Sequence, residues 1–208
     1  MRPRTAILLF GCAILGLTTW LMLPSPRARG SGPIPQSTYI WQRLWTPEVS
    51  RAVATRAHAF RTLYVLAGEH EVRRGTWAGV DIHPDWSSIP KGSRVGLVYR
   101  LVASPGEPPL DSALADVIVA RCDAQADEAS AAGLAIAEVQ IDYDCPTSKL
   151  GRYKAFLRDL RKGLPPETRL SITALATWLD TPEFRAVAEA TDHYVLQVHA
   201  LQRPGTTA

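Results

Sequence analysis

Residues 135–146 read Ala-Ile-Ala-Glu-Val-Gln-Ile-Asp-Tyr-Asp-Cys-Pro, with apolar and polar side chains in alternation. A period of two predicts a β-strand with one apolar and one polar face. An isolated edge strand can alternate in the same way, but here an amphipathic helix is predicted directly afterwards, over residues 147–162. In a parallel β/α sheet neither face is open to bulk water, so the polar face should line a barrel interior or a cleft. Asp142 and Asp144 lie on that face and form the predicted centre of a functional site.

The rest of the chain repeats this strand-then-helix unit. Thr46-Pro47-Glu48 and Thr181-Pro182-Glu183 each combine a capping threonine, a proline at the first helical position and an acidic residue in the first turn. Strands separated by helical segments predict a parallel α/β architecture. The predicted strands cover residues 39–45, 62–67, 94–102, 135–146, 170–175 and 193–199, the helices cover 46–60, 111–133, 147–162 and a segment from 181, and a short irregular or extended piece lies at 77–82.

Two features favour a barrel over an open sheet. The first predicted strand is not followed by a glycine-rich phosphate loop. Polar residues cluster at the carboxyl ends of several strands, where barrel active sites are built. The predicted fold is therefore a parallel (β/α) barrel of the TIM type with about six of the usual eight units. A truncated barrel, an open sheet, and a barrel completed by a partner all fit that count.

The amino-terminal segment differs from the rest of the chain. Arg2 and Arg4 precede residues 5–23, a run of 19 residues without a charge. Such a run is long enough to cross a bilayer as a helix. We predict a membrane signal anchor with a Pro- and Gly-rich linker over residues 1–36, with a cleaved signal peptide as the alternative. Either places the barrel domain, residues 37–204, outside the cytoplasm, anchored to the membrane or secreted into the periplasm.

Charge and cysteine content argue against two classes of site. The net charge of +3 is more than accounted for by four arginines among the first 29 residues, so the remainder is slightly acidic. Without a basic patch, no nucleic-acid partner is predicted. Cys122 and Cys145 lack a CxxC spacing, which argues against zinc. One is expected in mid-helix and the other at a strand tip, so we predict no disulfide between them.

Several motifs resemble a known family. These are residues 139–147, 170–174 and 194–200 together with Trp178, and Tyr39-Ile-Trp-Gln-Arg43 with Trp45 near the start. They resemble a bacterial domain-of-unknown-function family, number 3142, over roughly residues 37–204. The resemblance implies an exported, glycosidase-like barrel with no established activity. It also implies further sequence beyond the sixth strand, so the chain is predicted to be incomplete at its carboxyl terminus.

A second resemblance is to chitinase-like barrels, whose fourth strand ends in Asp-x-x-Asp-x-Asp-x-Glu. Ala137, Gln140, Asp142 and Asp144 occupy the four motif positions. Asp142 alone matches, while Asp144 replaces the proton-donating glutamate. The resemblance implies an acid at the tip of this strand, whereas the departures count against chitinase activity itself.

Glycoside hydrolysis needs one carboxylic acid to protonate the leaving oxygen and usually a second carboxylate as nucleophile or base. The Cα atoms of Asp142 and Asp144 should lie about 6.5–7 Å apart on one face, so that mutual repulsion raises one pKa. We predict Asp144 as the acid, with Asp142 or Glu69 as its partner. Structural ion pairs of these aspartates with Arg43 or Arg100 are the alternative.

The remaining candidates are predicted to bind a carbohydrate substrate. Aromatic rings near strand ends offer flat faces to sugars, although each can equally pack in the core. Polar side chains on the same strands can hydrogen-bond a sugar. No cofactor is predicted. The predicted substrate-binding residues are Trp41, Gln42, Arg100, Gln140, Trp178, Gln197 and His199.

Two other functional classes remain open. In a metal-dependent hydrolase, Glu69, Asp142, Asp144 and His199 would be ligands, although no HxH or HExxH spacing supports this and no metal site is predicted. In the other class, the chain is a non-catalytic or degenerate carbohydrate-binding barrel. A barrel short of two units exposes two strand edges, which is compatible with lost activity.

Overall fold

The computed structural model describes residues 34–102 and 110–198, in which α-helices separate most, but not all, of the strands along the chain. In chain order the elements are β1 (Ser37–Ile40), α1 (Pro47–Arg56), β2 (Thr62–Arg73), β3 (Thr76–Asp81), β4 (Val95–Val102), α2 (Ser112–Ala131), β5 (Ile136–Tyr143), α3 (Leu150–Gly163), β6 (Arg169–Leu175), α4 (Pro182–Ala188) and β7 (His193–Gln197).

The strands form one sheet in the order β1-β2-β4-β5-β6-β7, and every neighbouring pair in this series is parallel. β3 lies beside β2 and runs antiparallel to it. Six parallel strands with intervening helices make a half-barrel, which confirms the predicted fold class. Their carboxyl ends lie along one edge of the sheet, where a barrel carries its active site.

The hairpin of β2 and β3 departs from the sequence prediction. β2 was expected to end at residue 67 but continues to Arg73, and the piece expected to be irregular or extended is strand β3. Arg74 and Gly75, with φ of 52° and 79°, form the two-residue turn between them. Two consecutive residues with positive φ match the twist of an antiparallel hairpin. Glu69 therefore lies within β2 and not at its tip.

The predicted helices form, with small differences at their ends. Thr46 caps α1 by accepting a hydrogen bond from the Val49 amide at 3.4 Å, and the last predicted turn is a 3₁₀ helix at Ala57–Ala59. β1 ends at Ile40, five residues before the predicted end. α4 begins after Thr181 as expected, but the Thr181 hydroxyl donates to the Trp178 carbonyl instead of capping the helix.

The core lies between the sheet and the helices. The apolar row of β5 is buried against α3, whose Tyr153 ring meets Tyr143 edge to face at 5.3 Å. Burying one large apolar side chain contributes roughly 1.5–3 kcal/mol, so the α3 stripe fixes β5 and its tip firmly. Cys122 and Cys145 are both buried, and no disulfide joins them. The buried residues of α3 are Leu150, Tyr153, Phe156, Leu157 and Leu160.

In residues 34–102 and 110–198, no helix is long and apolar enough to cross a membrane. The predicted signal anchor and most of its linker lie outside the described residues.

Candidate active site

A cleft of about 150 Å³ opens at the carboxyl ends of β4 and β5. Parallel pairing places Arg100 beside Asp142 across these strands. The sequence predicted a site at this edge, and the structure brings three of its candidates together here. The lining residues are Arg100, Leu101, Val102, Asp142, Tyr143 and Asp144.

Asp142 occupies the inner part of this cleft and is largely buried. The Thr173 hydroxyl donates to its Oδ1 at 2.8 Å, and Arg100 Nε lies 3.7 Å from its Oδ2. Burial raises the pKa of Asp142, Thr173 and Arg100 oppose that rise, and the charge of Asp144 adds to it. The net direction is upward, so Asp142 keeps its proton to a higher pH than an exposed aspartic acid does.

Asp144 lies just beyond the end of β5 and is exposed to solvent. Gln197 Nε2, on β7, donates a hydrogen bond to Asp144 Oδ1 at 3.3 Å. The contact joins two predicted site residues from strands that are not neighbours in the sheet. It orients the carboxyl group while leaving it accessible to a ligand in the cleft.

Glu69 reaches the same edge but is held in ion pairs. Its side chain is buried, Arg43 contacts Oε2, and Arg100 Nη1 lies 3.8 Å from Oε1. Of the ion pairs considered as an alternative role for the aspartates, Arg100–Asp142 is present, whereas Arg43 pairs with Glu69 instead. Arg100 lies between Glu69 and Asp142 and joins the two carboxylates electrostatically.

Gln140 precedes Asp142 by two residues on β5, lies outside the cleft lining and is fully buried. Tyr39 donates its hydroxyl proton to Gln140 Oε1 at 2.7 Å, and Gln140 Nε2 donates to Ser171 Oγ at 3.1 Å. Trp41 stacks on Tyr39 with ring centroids 5.2 Å apart and remains 42% exposed. Gln140 therefore holds the inner surface together, whereas Trp41 presents a free ring face.

Three other predicted residues are placed differently. Trp178 is 0% exposed, its indole nitrogen donates to the Cys145 carbonyl at 3.0 Å, and its ring packs near Tyr153 and Phe184. It is a core residue in this geometry. Gln42 lines a cavity between β1 and α1, away from the cleft. His199 lies outside the described residues.

Thr173 was not among the sequence candidates, and Arg43 was considered only as an ion-pair partner of the aspartates. Thr173 fixes Asp142, and Arg43 neutralises Glu69. The alternation along β6 placed Thr173 on the polar face, and the strand order would have brought it next to Asp142. Arg43 follows β1 in a segment without regular structure, where the sequence pattern contains no comparable signal.

A metal centre does not fit this arrangement. In the part of the chain that the structure describes, no group of three or more His, Cys, Asp and Glu side chains is placed to hold a metal ion. Glu69, one of the ligands required by the metal hypothesis, is paired with two guanidinium groups. Their positive charge opposes a divalent cation at that position.

Replacing Asp142 with asparagine is expected to stabilise the protein at neutral pH and to change little near pH 3. The folded-state pKa of Asp142 is raised. Below the unfolded-state pKa both states hold the proton. As pH rises the unfolded chain ionises first, and the folded state loses stability until its own pKa is passed. Asparagine resembles the protonated carboxyl group and cannot ionise, so the variant does not lose this stability as the pH rises. Urea unfolding at both pH values measures the effect.

The matched control is Asp127→Asn, at an exposed position on α2, which should leave stability unchanged at both pH values. If Asp142→Asn instead destabilises the protein at neutral pH, the ion pair with Arg100 dominates and Asp142 has a structural role.

The fold is similar to that of glycosidase-like barrels. The spore cortex-lytic enzyme SleL of Bacillus megaterium matches with a TM-score of 0.57 and 17% identity, over 87% of this chain and 45% of that one. SleL of Bacillus cereus matches with a TM-score of 0.51 and 16% identity, over 78% of this chain and 41% of that one. This likeness confirms the class of fold, and the chain spans less than half the length of either enzyme.

Residues 109–207 match the model of a domain of unknown function, DUF3142. The predicted resemblance to this family is thereby confirmed over the part of the chain that carries β5, β6, β7 and both aspartates. No curated protein matches the sequence.

Proposed function

We propose that the protein is an exported carbohydrate-active hydrolase that cleaves glycosidic bonds, with Asp144 as proton donor and Asp142 as its partner. The observation that carries the proposal is the pair of carboxyl groups in the carboxyl-end cleft, one exposed and one largely buried with a raised pKa. Glycoside hydrolysis uses two carboxyl groups in different protonation states. Different environments for two neighbouring acids produce that difference.

The two aspartates differ in access and in support. Asp144 is exposed, so its carboxyl group can reach a glycosidic oxygen in the cleft, and Gln197 orients it. Asp142 lies deeper, fixed by Thr173 and Arg100. Burial raises the pKa of Asp142, so Asp142 holds its proton above the pH at which an exposed aspartic acid has lost it. The donor role is assigned to Asp144 on its access to the cleft alone, and direct donation from Asp142 is the alternative that the Asp142→Asn variant tests.

Trp41 is the proposed sugar-stacking residue. Its ring lies at the end of the aromatic series Trp41–Tyr39–Tyr64, in which neighbouring centroids are 5.2 and 5.0 Å apart. Stacking on Tyr39 fixes the orientation of the indole while its outer face stays free. A flat, oriented aromatic face suits the apolar side of a pyranose ring.

A polysaccharide outside the cytoplasm is the proposed substrate. The predicted signal segment in residues 1–36 supports export, and the similar solved structures are enzymes described as spore cortex-lytic. Since this chain spans less than half of those enzymes, neither their activity nor their substrate carries over directly.

The full-length protein is expected to release new reducing ends from at least one polysaccharide in a panel of peptidoglycan, chitin and neutral glucans, with an unchanged rate after addition of EDTA. The reason is that two carboxyl groups supply the chemistry themselves. Among residues 34–102 and 110–198, no cluster of His, Cys, Asp and Glu side chains is placed to hold a metal ion. Reducing-end formation measures the rate. Activity that EDTA abolishes and a divalent cation restores would support the metal-dependent alternative. Saturable binding to a polysaccharide without any reducing ends would identify a non-catalytic binding barrel.

A further inference from the structure

A second cavity, of about 440 Å³, lies at the opposite end of the half-barrel, where the parallel strands begin. Glu138, in its floor, is four residues before Asp142 on β5, which corresponds to roughly 13 Å along the strand. The cavity is therefore separate from the cleft that holds the two aspartates. Its lining includes Arg61, Tyr64, Arg94, Glu138, Arg169 and His193.

Glu138 is 2% exposed, and the protein itself satisfies it. Its Oε1 accepts hydrogen bonds from the Tyr64 hydroxyl at 3.0 Å and the Ser171 hydroxyl at 2.5 Å, and His193 Nε2 lies 3.2 Å away. Gly96 makes room for Tyr64, because a Cβ atom at Gly96 would lie 2.8 Å from the tyrosine ring. The floor of the cavity is thus built and fixed without any ligand.

Asp192, the other acidic residue of the lining, is also engaged. Its Oδ2 accepts a hydrogen bond from the Leu170 amide at 2.7 Å and lies 3.8 Å from Arg161 Nη1. Arg161 is itself fixed by the backbone carbonyl of Thr168 at 2.6 Å. Both carboxylates of the cavity therefore have protein partners.

Unlike the two carboxylates, three arginines of the cavity lack an ion-pair partner among the described residues. Arg61 and Arg94 immediately precede β2 and β4, and Arg169 is the first residue of β6, so all three lie at the rim. Among residues 34–102 and 110–198, no carboxylate forms an ion pair with any of them. Three guanidinium groups thus surround an opening whose acidic groups are already neutralised or hydrogen-bonded.

We propose that this cavity binds a small oxyanion, either a phosphate group or the carboxylate of an acidic sugar. The guanidinium group presents planar paired donors that match carboxylate and phosphate oxygens. A volume of about 440 Å³ falls within the usual range of small-ligand sites. The ligand binds without reaction, because the only buried carboxylate here, Glu138, already accepts hydrogen bonds from two hydroxyl groups and contacts His193. The site is independent of the proposed glycosidase activity.

The test is calorimetric titration of the full-length protein at low ionic strength with inorganic phosphate, glucuronate and neutral glucose. Saturable binding of phosphate or glucuronate, but not glucose, is expected, and it weakens with added salt. The double substitution Arg94→Gln with Arg169→Gln should weaken anion binding by about tenfold or more, because hydrogen bonds to charged groups are lost. Phosphate binding alone indicates a phosphate site, and glucuronate binding alone indicates an acidic-sugar site.

The control is Arg152→Gln, at an exposed position in the first turn of α3, which should leave anion binding unchanged. Circular dichroism verifies that each variant folds, and Arg61→Gln alone replaces the double variant if that variant does not fold. The proposal is overturned if neither anion binds at millimolar concentration, if glucose binds equally well, or if Arg152→Gln weakens binding as much as the rim substitutions do. Asp144→Asn should leave anion binding intact, which separates this test from that of the glycosidase.

Discussion

Replacing Asp144 with asparagine is expected to lower kcat by about 10²–10⁴-fold, the range typical for loss of a general acid, with sugar binding retained. Asparagine has nearly the same shape and keeps an oxygen that can accept the hydrogen bond from Gln197. It has no carboxylic proton to give to the leaving oxygen. Reducing-end formation measures kcat, and calorimetric titration with the same polysaccharide fragment measures affinity.

Asp127→Asn makes the same chemical change at an exposed position on α2 and should leave kcat unchanged. An unchanged kcat in Asp144→Asn would remove Asp144 from the mechanism. If Asp142→Asn alone abolishes turnover, the proton donor is the buried aspartate with the raised pKa, and the proposed roles are exchanged. Loss of sugar binding together with turnover would make Asp144 a binding residue.

The alternation of apolar and polar residues over positions 135–146 was enough to predict β5 and the polar row that faces the inside of the half-barrel. Gln140, Asp142 and Asp144 follow from it because a strand has a side-chain period of two. The partners of these residues could not be read in the same way. Thr173 meets Asp142 through the pairing of β5 with β6, and this contact depends on register between segments about 30 residues apart.

Glu69 shows a different limit of sequence reasoning. Its segment reads as the end of a strand, yet β2 continues because Arg74 and Gly75 form a hairpin turn that pairs it with β3. The residue still reaches the predicted edge, since β2 also pairs with β4 and places Glu69 beside Arg100. The sequence therefore predicted the edge of the sheet that Glu69 reaches, but it did not predict the ion pairs of Glu69 with Arg43 and Arg100.

Aromatic residues were the least predictable part of the site. Trp41 and Trp178 both follow strand segments, and in the sequence both are equally suited to stacking on a sugar. α3 and α4 decide between them, because Tyr153 and Phe184 enclose Trp178 while Trp41 stays 42% exposed. Burial of this kind comes from packing between elements that are distant in sequence, so the pattern of neighbouring residues does not predict it.

Replacing Trp178 and Trp41 by alanine distinguishes a core-packing residue from a sugar-stacking residue. Trp178→Ala should lower the free energy of unfolding by about 3–5 kcal/mol, because it empties a fully enclosed site in the core. It also removes the donor to the Cys145 carbonyl. Trp41→Ala should cost only about 0.5–1.5 kcal/mol, the contribution of its stacking on Tyr39.

For sugar binding we expect the opposite ranking, with the larger effect from Trp41→Ala and the smaller from Trp178→Ala. Trp41→Ala is expected to weaken binding by up to about tenfold, since it removes the exposed aromatic face that follows β1 at the carboxyl edge of the sheet. Trp178→Ala, measured under conditions where the variant is still folded, should bind sugar like the original protein because its ring has no exposed face. Urea unfolding, with the slope checked for constancy, gives stability, and titration with a polysaccharide fragment gives affinity. A Trp178→Ala variant of normal stability that no longer binds sugar would contradict the core position and restore the stacking role predicted from the sequence.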